Sequence, residues 1–351
     1  MVVIMVAALV AVSFAVTLES SSSHSLPVAP SGPVVVLATE MHASPAHVLH
    51  ARVDSPTDPA TAPPLTSTVN PSQPNPSAVN PFPPKGLVAD PGVDGQFVWS
   101  TVSGALSGLT GRVLVWLPRS YAMPGSATQR YPVIEVFHGV PGSPQNYVDL
   151  HLGHLMAAEA AARHVKEAIL VIPDYTPRRL DTECVNGGTG KPAMEDWLTR
   201  DVPAWAQLTL RVQPQRTAWS TMGFSAGGWC AAMATMLHPD VYGSAIALGA
   251  YFQPDFDPSY RPFAPGSAAW DRYNLVKLAA TRPPPASLWV ETSAEDPLSY
   301  PTSSRLLAAA RPPLNVTTHV LARGGHSMSV WLGLIPATFQ WLGSTSPGFE
   351  P

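Results

Sequence analysis

The sequence predicts an α/β fold in which a mainly parallel central sheet carries helices on both faces. Three observations lead there. From Gly95 onward, short apolar runs alternate with stretches of helical character. Two of these runs, residues 132–137 and 168–173, are nearly continuous in apolar residues, as strands buried on both faces must be. A Gly-x-Ser-x-Gly pattern, Gly223-Phe224-Ser225-Ala226-Gly227, sits between a strand-like and a helix-like segment.

Residues 1–18 are apolar apart from Ser13 and Thr17. A core helix would show a polar face, and this stretch is apolar all round. It reads as a cleaved signal peptide, with Ser13 and Ala15 near the cleavage site, or as an uncleaved membrane anchor. The Lys or Arg that normally precedes such a run is absent. That adds a third reading, the tail of a membrane segment in a longer chain. Residues 19–90 are rich in Pro, Ser, Ala and Thr. Such a composition buries little apolar surface and reads as an extended spacer, with Val34-Val35-Val36-Leu37 as its one strand-like stretch.

Residues 91–351 hold the folded domain. Strands are expected at 96–102, 112–118, 132–137, 168–173, 217–222, 244–248, 287–292 and 316–321. Helices are expected at 155–163, at 228–237 and, rich in Trp, after residue 327. This alternation builds a parallel sheet with covered faces. Only 13% of the 351 residues are charged, and the net charge of −4 is spread without a run of one sign. A basic footprint is missing, which excludes nucleic acid as a partner. The two cysteines, Cys184 and Cys230, are expected to pair in an oxidising compartment.

The chemistry centres on Ser225. A serine on a sharp strand-to-helix turn projects its hydroxyl above the sheet, and small flanking residues permit the crowded backbone. A hydroxyl is a poor nucleophile at neutral pH, so a base must stand beside it. Three histidines follow Ser225 in the chain: His238, His319 and His326. His238 closes the outgoing helix and His319 lies within the last strand. His326 follows that strand in a glycine-bearing loop, Arg323-Gly324-Gly325-His326-Ser327, and is assigned as the base. The acid that orients it should end the preceding strand, where Asp296 is the first choice and Glu295 the reserve. The oxyanion needs two backbone N–H groups, taken as those of Ala226 and Val140, because Pro141 has none to give. His138 is expected to hold the Val140 loop in shape. His151 and His154 lack a third ligand nearby, so no metal is implied, and no organic cofactor either.

These residues resemble the esterase branch of the α/β-hydrolases that includes esterase D-like enzymes, feruloyl esterases and the antigen 85 mycolyltransferases. The likeness covers residues 95–345. It is carried by His138-Gly139-Val140-Pro141-Gly142, the stretch from Glu195-Asp196-Trp197 to Pro203-Ala204-Trp205, the Ser225 elbow, Leu237-His238-Pro239, and His326-Ser327 followed by Trp331. The resemblance implies an α/β-hydrolase fold, a triad of Ser225, His326 and a carboxylate, and an oxyanion hole at Val140 and Ala226. The elbow and the Asp296 segment are closer to general esterases than to mycolyltransferases, which use a glutamate as the acid.

The sequence thus leads to an exported serine esterase acting on small-molecule or lipid esters, tethered to a membrane if residues 1–18 are retained. An envelope acyltransferase is the second reading, and a catalytically silent hydrolase-fold binding module the third. The loop around Cys184 is expected to be solvated and to rim the substrate cleft.

Overall fold

The computed structural model describes Gly92 and residues 94–351. The expected export segment 1–18 and spacer 19–90 lie outside the described residues. Eight strands form one sheet: β1 (Gly95–Ser103), β2 (Thr110–Pro118), β3 (Val133–Phe137), β4 (Ile169–Pro173), β5 (Trp219–Phe224), β6 (Ser244–Leu248), β7 (Ser287–Ser293) and β8 (Asn315–Leu321). Their order is β1-β2-β4-β3-β5-β6-β7-β8. β2 runs antiparallel to both neighbours, and from β4 to β8 every pairing is parallel. This is the α/β-hydrolase fold.

Side-chain alternation along buried strands divides the core in two. Val133 and Phe137 of β3 join Trp219, Ala245 and Ala247 on one face, with the helix Ala226–Leu237. Ile134 and Val136 join Met222, Phe224, Ile246 and Leu248 on the other, with the C-terminal helix Met328–Thr345. Ala245 and Ala247 meet Ala231, Ala232 and Ala234 within the first cluster, and small residues on both elements let a helix lie close to the sheet. Between them β3 carries one buried carboxyl, Glu135, which accepts from the Tyr242 hydroxyl (2.7 Å). Burial pushes its pKa up to about 8 against the pull of that hydrogen bond.

The expected strand at 217–222 is displaced to Trp219–Phe224. Residues Arg216–Ala218 form a 3-10 turn, and the strand runs on through Gly223 because Met222 and Phe224 both point into the second core layer. The helix behind it starts at Ala226 rather than Gly228. Packing overrides the low helix propensity of its two glycines.

The disulfide between Cys184 and Cys230 is formed and ties the loop after β4 to the helix Ala226–Leu237. That loop is not solvated at its centre, contrary to expectation. Glu183 and Cys184 are fully buried. Glu183 accepts from the Tyr251 hydroxyl (2.5 Å) and the Asp255 amide (3.3 Å), and its own carbonyl takes the Trp229 indole N–H (3.0 Å). Burial holds the Glu183 pKa well above the ordinary carboxylate range. Among the described residues, no helix is long and apolar enough to cross a membrane.

Candidate active site

Ser225 stands between β5 and the helix that follows, with φ 55° and ψ −124°, outside the regions a non-glycine residue normally occupies. Its amide donates to the Leu248 carbonyl (2.9 Å) and its carbonyl accepts from the Trp229 amide (3.0 Å), so both sides of the turn are held. The flanking glycines have no alternative. A Cβ on Gly227 would lie 1.9 Å from the Phe137 carbonyl oxygen, and one on Gly223 would lie 2.2 Å from that of Gly227.

The Ser225 hydroxyl lies 2.8 Å from His326 Nε2, and His326 Nδ1 lies 2.7 Å from Asp296 Oδ2. His326 reaches this position because Gly324 (φ 135°) and Gly325 (φ 61°) turn the loop after β8, and the Gly325 amide is anchored on Ser293 Oγ (3.0 Å). Asp296 is buried. Its Oδ1 accepts the Leu298 and Ser299 amides (3.0 and 3.3 Å), and its Oδ2 accepts the Ser299 hydroxyl (2.5 Å) as well as facing His326. Burial alone would raise the Asp296 pKa, but the hydrogen bonds from Ser299 and His326 outweigh it and hold the group below the usual carboxylate range. Glu295 is exposed and accepts the Gly324 amide (3.2 Å), away from the imidazole.

The other two histidines are occupied elsewhere. His238 caps the helix Ala226–Leu237 and bonds Glu195 (2.7 Å). His319 stacks on Trp289 within the sheet (centroids 5.9 Å apart).

The loop after β3 is clamped from below by two tyrosines. Tyr147 donates to the Phe137 carbonyl (2.7 Å) and Tyr175 to the His138 carbonyl (2.6 Å). The His138 ring stacks on Tyr175 at 4.3 Å and bonds the Gly139 carbonyl through Nδ1 (2.9 Å). Among the described residues, neither the Val140 nor the Ala226 amide donates to another group. The tyrosine clamps and Ser299 were not singled out from the sequence. The Asp-Pro-Leu-Ser run after Glu295 carried a usable signal for Ser299, since an aspartate commonly accepts amides two and three residues on.

The family model described as "Putative esterase" matches residues 107–335. The chain belongs to this esterase family. Among solved structures it is similar to a ferulic acid esterase (TM-score 0.59, 18% identity, covering 71% of this chain and 97% of that one). An S-formylglutathione hydrolase from Agrobacterium tumefaciens is also similar (TM-score 0.61, 15% identity, 73% and 98% covered). So is the fluorophosphonate-binding serine hydrolase F of Staphylococcus aureus (TM-score 0.56, 15% identity, 71% and 98% covered). At these identities the likeness is one of fold. An uncharacterized protein of Corynebacterium glutamicum is 23% identical over 263 residues, 69% of this chain, and the match spans 59% of that relative's length.

A cleft of about 450 Å³ opens over Ser225 and His326. Val140, Tyr147, Leu150, Phe224, Met328 and Trp331 supply its apolar wall, with Asn146 and Asp149 at polar positions and, among the described residues, no Lys or Arg in the lining. The Cys184 loop, expected to rim the cleft, is absent from that lining.

Proposed function

We propose that the chain hydrolyses carboxylic esters of small molecules through an acyl-enzyme on Ser225. One observation carries the reading. A hydrogen-bonded line from Ser225 through His326 to buried Asp296 ends in an apolar cleft beside two uncommitted backbone amides.

The chemistry follows from that line. His326 Nε2 takes the Ser225 proton as Oγ bonds to the ester carbonyl carbon. The carbonyl electrons move to oxygen, which the Val140 and Ala226 N–H groups stabilise. Collapse of this adduct breaks the ester C–O bond, and His326 returns the proton to the leaving alkoxide. Water then repeats the sequence on the acyl-enzyme, giving up its proton to His326 and releasing the acid. Asp296 stays ionised throughout, fixing the imidazole tautomer and stabilising the imidazolium.

The proposal places the enzyme outside the cytoplasm. The Cys184–Cys230 bond supports this, together with the apolar run at 1–18. The test is covalent labelling by a fluorophosphonate together with p-nitrophenyl ester hydrolysis, for wild type and Ser225→Ala. Labelling and turnover should both vanish in the variant. A folded wild type that takes no label would overturn the reading in favour of a binding module. An acyl–acceptor product exceeding free acid when an alcohol or sugar is added would replace hydrolysis by transfer.

A further inference from the structure

A second carboxyl lies behind the site, in β7, on the strand that leads into Asp296. Glu291 is fully buried. Its Oε2 accepts the Gly249 amide (2.9 Å), and Gly249 directly follows Leu248, whose carbonyl holds the Ser225 amide. Gly249 has φ +55°, and the Trp331 indole fills the place a side chain would take there. A Cβ on that glycine would lie 2.3 Å from Trp331 Cζ2 and 2.9 Å from its Nε1. The glycine is thus required twice, for its backbone and for the indole.

Two groups at this corner are unmatched. Glu291 Oε1 and Trp331 Nε1 are both buried, and neither has a hydrogen-bond partner within normal geometry among the described residues. One is an acceptor and the other a donor, and a buried polar group left unpaired costs about 1–3 kcal/mol. The indole nitrogen packs against Gly249, whose amide is bonded by the other oxygen of the same carboxyl, Oε2. Burial raises the Glu291 pKa to about 7, with the Asp296 charge adding to it, while the Gly249 amide pulls it back. His319 is its register partner on β8, and His326 lies beyond the Trp331 ring.

Trp331 in turn touches the reacting groups. Its ring meets the His326 imidazole edge-to-face, with centroids 4.7 Å apart, and stacks on Phe224, the residue before the nucleophile, at 5.7 Å. We infer that Glu291 is a positioning residue. Its Oε2 holds the Gly249 amide on the nucleophile's side, its unmatched Oε1 is the acceptor available to the unmatched Trp331 indole N–H on the base's side, and the carboxyl so sets the distance between Ser225 and His326. The inference rests on the reading of His326 as the base. It gives β7 two duties, since the same strand delivers Asp296 to one face of the imidazole and Glu291 to the ring that backs another.

The test is steady-state hydrolysis of a p-nitrophenyl ester by the full chain and by Glu291→Gln, Trp331→Phe and the double variant. Glutamine keeps the acceptor for Gly249 but can present an amide N–H to the indole, and phenylalanine keeps the ring but removes the donor. Each single variant should lose about tenfold or more in kcat with KM within about twofold, as expected for misplaced reacting groups. The double variant should be no worse than the poorer single one. Wild-type kcat in Glu291→Gln, or losses that multiply in the double variant, would overturn the inference. Should Glu291→Gln fail to fold, Trp331→Phe decides alone, with unchanged kcat counting against. Ser225→Ala in the same assay separates the two levels. Turnover there defeats the acyl-enzyme reading, whereas an inactive Ser225→Ala beside a normal Glu291→Gln defeats this inference only.

Discussion

Asp296 does two things that usually fall to different residues. One oxygen caps the backbone at Leu298 and Ser299, and the other faces the imidazole. Capping fixes the carboxylate so that little reorganisation accompanies charge development on His326. The Glu295 carboxylate, one residue earlier, accepts the Gly324 amide from an exposed position. Asp296→Asn should therefore lower kcat by about 10³-fold or more by favouring the wrong tautomer. Glu295→Gln should stay within about threefold of wild type, because an exposed carboxylate contributes little. A larger loss in Glu295→Gln on p-nitrophenyl ester turnover would reverse the assignment. The choice between these neighbours was readable only as a preference from sequence. What separates them is burial and the Ser299 hydroxyl, and neither shows in the local residue pattern.

Among the elements, the helical stretch from Met194 to Thr209 is held by one buried carboxylate. Glu195 accepts a bidentate Arg272 pair (2.6 Å each), the Tyr273 hydroxyl (2.6 Å) and His238 Nε2 (2.7 Å). It thereby joins three segments, including the C-terminal end of the helix Ala226–Leu237 that follows Ser225. Burial opposes ionisation, but these bonds outweigh it and bring the Glu195 pKa down to about 2 from 4.5. A depressed folded-state value means stability that is fully present above about pH 4.5 and lost as pH falls toward 2, of order 3 kcal/mol. Glu195→Gln should melt lower than wild type at pH 7, and the gap should close between pH 4.5 and 2. Parallel melting curves across that range would show that the charge is immaterial. The strands themselves were legible because β3, β4 and β6 are buried on both faces and so read as apolar runs. The Cys184 loop was not, since Arg178, Asp181 and Glu183 look solvated in isolation. The groups that admit Glu183 to the interior, Tyr251 and Asp255, are distant in the chain. The Trp331 corner was equally hidden, because it exists only where the ends of β6 and β7 meet the C-terminal helix.

For the molecule as a whole, the charge around the cleft yields a test of substrate choice. The net charge is −4, and among the described residues the cleft is lined by the ionisable side chains His138, Tyr147, Asp149 and His326, of which Asp149 alone is a carboxylate. Nothing there compensates an anionic leaving group or acyl chain. Neutral esters should be turned over with kcat/KM above that of matched anionic esters by about threefold at low salt. The ratio should shrink toward unity at high ionic strength and in Asp149→Asn. A salt-independent preference would assign the selection to shape instead. The disulfide has a consequence of another kind. Cys184 and Cys230 have no exposed surface, and thiol exchange needs a clear approach to sulfur. Exchange at this linkage therefore has to wait for the loop or the helix it joins to open. How readily a reductant reaches the bond is thus a reading of how often that part of the molecule opens, rather than of the reductant's strength.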